Sequence, residues 1–151
     1  MRWGSFSVYG VKLHLLCATN RIPLSYELTA ANIAEVKLTE ELLAGTSFER
    51  EKDLVCRLFG DLAYRSEALE EVLAAAGIVL VTERSRQGGK RQQVEIALAS
   101  LKREFRLGET LATTLVGLAT RIAAKITAYT YGFYVNWVLG RSQGHIKELW
   151  A

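Results

Sequence analysis

Leu54-Val55-Cys56-Arg57-Leu58-Phe59-Gly60-Asp61-Leu62-Ala63-Tyr64 is the stretch whose reading decides the fold, because it delivers a carboxylate to the end of a strand. Leu54, Val55, Cys56, Leu58 and Phe59 form a short, mostly apolar and β-prone run, which fits a buried strand better than a short helix. Gly60 and Asp61 break that run. Leu69, Val72 and Leu73 then recur at helical spacing, so Asp61 is expected in a strand-to-helix turn. In open α/β sheets, turns at strand C-termini are where ligands and chemistry collect.

Upstream, residues 9–17 put Val11, Leu13 and Leu15 on one side and Lys12 and His14 on the other, the period of a half-buried strand with His14 at the surface. Residues 18–21 read as a turn and 22–28 as a second strand, with Pro23 near its start where a missing donor is tolerated. The two make an antiparallel hairpin. Asn32 can cap a helix over about residues 33–45 that turns Val36, Leu42 and Leu43 inward, Glu40 and Glu41 outward, and ends at Gly45. Downstream, Gly77 closes the helix that follows Asp61, and residues 78–82 read as another short buried strand.

Composition then shifts. Residues 83–91 are a basic, glycine-containing loop, followed by a helix over about 92–106 with Val94, Leu98, Leu101 and Phe105 as its apolar stripe. Arg91, Glu95, Lys102 and Arg106 fall on the other side, which leaves Glu95 a lone carboxylate on a basic face. Residues 110–139 are apolar and rich in Thr, Ala and Tyr. Arg121 and Lys125 divide them into pieces shorter than the roughly 18 uncharged residues of a spanning helix, so one or two helices packed on the sheet are expected. Tyr129, Tyr131, Phe133, Tyr134 and Trp137 read as core or interface before they read as a base-stacking platform.

The whole chain bounds these readings. Its 151 residues suit one domain, half of them are apolar, and 19 Lys and Arg against 16 Asp and Glu leave only +3. That balance does not by itself name nucleic acid as a partner. Cys17 and Cys56 lack paired-ligand spacing and read as buried cytosolic thiols, not as a zinc site. Lys12 and His14 interrupt the N-terminal apolar run, which argues against a secretory signal and for a cytoplasmic protein without a membrane partner. Residues 1–140 are expected to form the domain and 141–151 a polar tail containing His145.

The chemistry-bearing candidates are Asp61 and Glu95, surrounded by Arg84, Arg86, Lys90, Arg91, Lys102, Arg103 and Arg106. Converging carboxylates bind hard cations such as Mg²⁺, which leave room for water and phosphate oxygens, and two such ions can drive phosphoryl transfer. The surrounding cations would neutralise a phosphate backbone. Spacing alone, however, reads the acids first as a turn residue and a solvated helix acid. Arg65 stands equally as a phosphate contact or as a surface residue at a helix start. Tyr64 can stack on a base or pack under the following helix.

Four phrases add to this reading: Tyr-Gly-Val-Lys-Leu-His-Leu-Leu at residue 9, Ile-Pro-Leu-Ser-Tyr-Glu-Leu-Thr-Ala-Ala-Asn at 22, Phe-Gly-Asp-Leu-Ala-Tyr-Arg-Ser at 59 and Val-Glu-Ile-Ala-Leu-Ala-Ser-Leu-Lys-Arg-Glu-Phe at 94. In this order, from about residue 9 to 139, the chain resembles the catalytic domain of bacterial insertion-sequence DDE transposases. The resemblance implies an α/β, ribonuclease H-like fold: a mixed sheet flanked by helices, with a helical C-terminal segment. It also implies double-stranded DNA, the insertion-sequence ends, as partner. In that family two Asp and one Glu hold two Mg²⁺ ions for DNA strand cleavage and transfer. Asp61 matches the second Asp and Glu95 the Glu, as catalytic and metal-binding residues. Around the Glu the family carries a Tyr, Arg, Glu, Lys pattern; Arg91 lies four before Glu95 and Lys102 seven after, while the Tyr position holds Gly88. Arg65, Arg84, Arg86, Lys90, Arg91, Lys102 and Arg106 are the implied DNA contacts.

The family's first Asp has no match. The chain has no Asp before Asp53, and Asp53 opens the strand that Asp61 ends, too far away at roughly 3.3 Å per residue to share its site. The expectation is therefore an N-terminally truncated transposase that binds Mg²⁺ poorly and does not transpose alone. The alternatives are an inactive remnant and a basic DNA-binding module. Strand 9–17 is expected either as an exposed edge or paired with a second copy in a homo-oligomer.

Overall fold

The computed structural model of the chain describes residues 10–31, 57–60, 64–82 and 92–149. In order they carry β1 (Val11–Cys17), β2 (Pro23–Ala30), β3 (Arg57–Gly60), α1 (Glu67–Ala75), β4 (Val79–Thr82), α2 (Gln92–Glu104), α3 (Leu115–Val138) and a 3₁₀ turn (Ile146–Leu149). The chain is mixed α/β. It divides into two compact units, Met1–Leu15 with Ser25–Thr82, and Leu16–Leu24 with Glu83–Ala151. The helix expected over 33–45 and the strand residues before Arg57 lie outside the described residues.

β1 and β2 pair as the anticipated hairpin. At its turn Ala18 N–H donates to the Ile22 carbonyl and Arg21 N–H to that of Ala18, while at the open end Ala31 N–H donates to Gly10. Pro23 opens β2, where it breaks no ladder bond. The expected facing of β1 needs correction at both ends of its pattern. His14 is buried at 5% exposure while Val11 is exposed. The cause is a partner: the His14 ring nitrogen Nε2 lies 2.9 Å from Thr29 Oγ1, which offsets the cost of taking a polar ring out of water.

β3, α1 and β4 form the strand–helix–strand unit that the sequence anticipates. β3 pairs in parallel with β4, Arg57 opposite Val79 and Gly60 opposite Thr82. Among the described residues the four strands stand as two separate pairs, β1 with β2 and β3 with β4, where one mixed sheet was expected. The core of this unit is Leu69, Leu73 and Ile78, with Leu58 and Leu80 packed against them. Val72, expected inward, is half exposed. At 100° per residue, Leu69 and Leu73 centre the buried stripe and Val72 falls on its margin.

The end of α1 shows why Gly77 stands where it does. Its φ of 76° lets Gly77 N–H donate to Ala74 and Ile78 N–H to Leu73, the double closure of a Schellman motif. That bend also returns buried Ile78 onto buried Leu73, so the cap and the core are one feature. α3 ends the same way. Gly140 has φ of 66°, its N–H donates to Trp137, and Arg141 N–H donates to Asn136.

In the second unit α2 buries Ala97 and Leu101 completely, with Val94, Leu98 and Phe105 half-buried beside them. The small Ala97 lies outside the expected stripe yet is fully buried. α3 starts at Thr114, whose hydroxyl accepts from Gly117 N–H at 3.1 Å, a sound N-cap. It runs 24 residues as one helix and buries Ile122, Ile126, Tyr129, Gly132, Phe133 and Asn136 on a single face. Its main packing partners are α2 and the 3₁₀ turn, where packing on a sheet was expected. Tyr129 sits edge-on between Phe105 and Phe133, 6.0 and 5.1 Å away. Ile146, within the segment read as a polar tail, is buried at 3% exposure against Gly132. Among the described residues no helix is long and apolar enough to cross a membrane.

Candidate functional site

The outer face of α2, with the turn just beyond it, carries most of the candidate residues that are described. Because Ala97 and Leu101 take the buried side, Glu95, Ala99 and Lys102 are turned to solvent, and Arg106 stands exposed just beyond the helix end. Glu95 lies in the first turn and Lys102 and Arg103 in the last, each the charge that the helix dipole favours there. Glu95 and Lys102 are separated by about 10 Å along the axis, two turns of helix. Arg103 pairs with neighbouring Glu104. Arg106 approaches Glu109 at 3.7 Å while its side chain remains 77% exposed.

Behind Arg106 the chain is held by two cations that sequence reading used only to interrupt an apolar run. Lys125 Nζ donates to the carbonyls of Arg106 and Glu109, and Arg121 Nη1 donates to that of Thr110. Arg106 adopts φ of 48° and Leu111 φ of 49°, left-handed conformations that cost side-chain-bearing residues about 1 kcal/mol or more. Three side-chain-to-carbonyl bonds from α3 support that turn. The one-turn spacing of Arg121 and Lys125 was the available signal, since it puts both on one helix face.

The expected site residues separate into two groups. Asp61, Arg84, Arg86, Lys90 and Arg91 lie outside the described residues. Of the rest, Glu95, Lys102 and Arg106 share the outer side of α2 and its end, and Arg65 is exposed just before α1. Tyr64, which could have faced a ligand, is half-buried with its ring over Gly60, about 3.5 Å from where a side chain there would begin. His145 is exposed and lies 3.3 Å from Glu148. Burial pushes the Cys17 thiol up to about 12, so it is no thiolate at neutral pH. Burial likewise pushes Tyr129 up to about 12, against the lowering effect of Arg21.

The outer side of α2 and the turn beyond it carry, among the described residues, Glu95 with the cations Lys102 and Arg106. Among the described residues no three His, Cys, Asp or Glu side chains converge to hold a metal. The companions of Glu95 on its face are Ala99, Lys102 and Arg106, none of them an acid. The described residues therefore do not by themselves complete a carboxylate site for Mg²⁺. A family model described as Transposase DDE domain matches residues 2–131. Neither the curated proteins nor the solved structures provide a match.

Proposed function

Because the chain belongs to the DDE transposase family, we propose that it is a DNA-binding transposase domain whose α2 lies along the DNA backbone. The observation that carries this is the outer side of α2 and the turn just beyond it, where Glu95, Lys102 and Arg106 share solvent exposure. In this reading Lys102 and Arg106 neutralise phosphates, and Arg65, Arg84, Arg86, Lys90 and Arg91 are further phosphate contacts by the family resemblance. Glu95 and Asp61 stand for two of the three carboxylates of the family's ribonuclease H-like fold.

The third carboxylate is not among residues 1–52, which contain no Asp. A divalent ion would supply the family's charge stabilisation in phosphoryl transfer, with Asp61 and Glu95 as the residues to hold it; with no third carboxylate matched, no step of strand chemistry is assigned to this chain. What remains is a domain that holds DNA and does not cut it unaided.

The test is duplex DNA binding measured across a salt series. The predicted logarithmic dependence is steep, and Lys102→Ala and Arg106→Gly each lower its slope by about one. Glycine is the informative replacement at Arg106, since it removes the charge and suits the left-handed backbone. Glu95→Gln binds as well as the parent or better. Slopes unchanged in both cation variants would remove α2 from the interface.

A further inference from the structure

We propose that Tyr131, Tyr134 and Trp137 on α3 form a stacking platform for the unpaired bases of a single DNA strand. The proposal rests on the DNA-binding reading above and adds the form of DNA and the place it is held. The three side chains are 63%, 54% and 63% exposed, on a helix whose other face is filled by Ile126, Tyr129 and Phe133. They follow one another at three-residue intervals. Tyr131 and Tyr134 have ring centroids 5.9 Å apart and tilted by 34°, and Tyr134 and Trp137 5.9 Å apart and tilted by 42°. Folding does not require them there, because leaving such a side chain in water forfeits roughly 1.5–3 kcal/mol of burial.

Charge complementarity selects the occupant. No Asp or Glu occurs between Glu109 and Glu148; Arg121 and Lys125 are engaged with the carbonyls of Thr110, Arg106 and Glu109, while Arg141 and Lys147 follow the ridge. Arg141 and Lys147 are both exposed. An uncharged aromatic ridge with exposed cations beyond its C-terminal end and no acid along it suits a polyanion whose bases offer flat faces and whose phosphates reach those cations. A protein partner would have no cause to exclude acids from the whole segment. Duplex DNA does not fit either: its bases show only their edges, and they stack about 3.4 Å apart, well inside the 5.9 Å ring spacing. An unstacked strand can lay successive bases on successive rings.

The experiment uses the full chain with a fluorescein-labelled oligothymidylate of roughly 20 nucleotides and, in parallel, a duplex of the same length. Tyr134→Ala combined with Trp137→Ala is expected to weaken single-strand binding at least tenfold and duplex binding less than twofold. Because both positions are exposed, the circular dichroism of the double variant should match the parent. In a Trp3→Phe, Trp150→Phe background, oligothymidylate should saturably quench the remaining Trp137 emission. Unchanged single-strand affinity with duplex binding intact overturns the platform and spares the DNA-binding reading. Loss of self-association in the double variant, with single-strand affinity unchanged, assigns the ridge to a protein interface and also overturns it. Absence of binding to either DNA removes both readings.

Discussion

At Cys17 the sequence indicated a buried thiol, and the structure adds a consequence in pH. The unfolded chain releases this proton near 9.0, whereas the folded chain holds it to about 12. The folded pKa is the higher one, so stability is unaffected below about pH 9 and falls as pH rises towards 12. Tyr129, moved from 10.0 to about 12 by burial, acts with the same sign over a window that opens later. Thermal unfolding at about pH 8 and about pH 10 checks this, and Cys17→Ala should lose less stability across that interval than the parent. An equal loss in both chains would mean that the thiol is not protected. His14 marks where residue-level reading stops. Alternation along a strand is a local pattern, and it cannot register that Thr29, fifteen residues away, supplies the hydrogen bond that makes burial affordable.

Among the elements, boundaries set by backbone chemistry were readable and packing partners were not. Gly77 announced the end of α1 because a glycine after a helical stripe permits the left-handed cap, and φ of 76° bears this out. Gly132 gave no such signal. It lies inside α3 and is needed for contact, since a Cβ there would stand 2.9 Å from Ile146 Cγ2 and 3.4 Å from Leu149 Cδ1. The two glycines should therefore respond differently to substitution. Gly77→Ala meets no neighbour and costs about 1 kcal/mol through backbone conformation alone. Gly132→Val costs about 1–3 kcal/mol by overpacking and releases the 3₁₀ turn, despite a small gain in helix propensity. Urea denaturation gives the magnitudes. Amide exchange at Ile146 and Leu149 should quicken only in the Gly132 variant, and equal protection in both would refute the close-contact role. The apolar stripe of α2 was likewise read from its bulky members, while Ala97, the residue its neighbours bury entirely, carried no weight in the pattern.

For the whole molecule, the order of motifs was more informative than any quantity summed over the chain. A net charge of +3 pointed to no partner, whereas short phrases around Asp61 and Glu95 pointed to the family that the match over residues 2–131 establishes. The α/β class and the strand–helix–strand unit followed from periodicity. A single mixed sheet did not emerge among the described residues, because pairing between distant strands has no signature in local spacing. The exposed ridge Tyr131, Tyr134 and Trp137 was equally hidden, since aromatic crowding does not reveal which rings the helix turns inward. The central claim is that the chain holds DNA but, with Asp61 and Glu95 as its candidate carboxylates and no Asp among residues 1–52, does not cut it unaided. The most direct measurement is nicking of supercoiled plasmid by the purified chain in Mg²⁺ or Mn²⁺, beside Asp61→Ala and Glu95→Gln. The predicted result is plasmid binding by all three proteins and no metal-dependent nicking by any. Mg²⁺-dependent nicking by the parent chain that disappears in Asp61→Ala would contradict it.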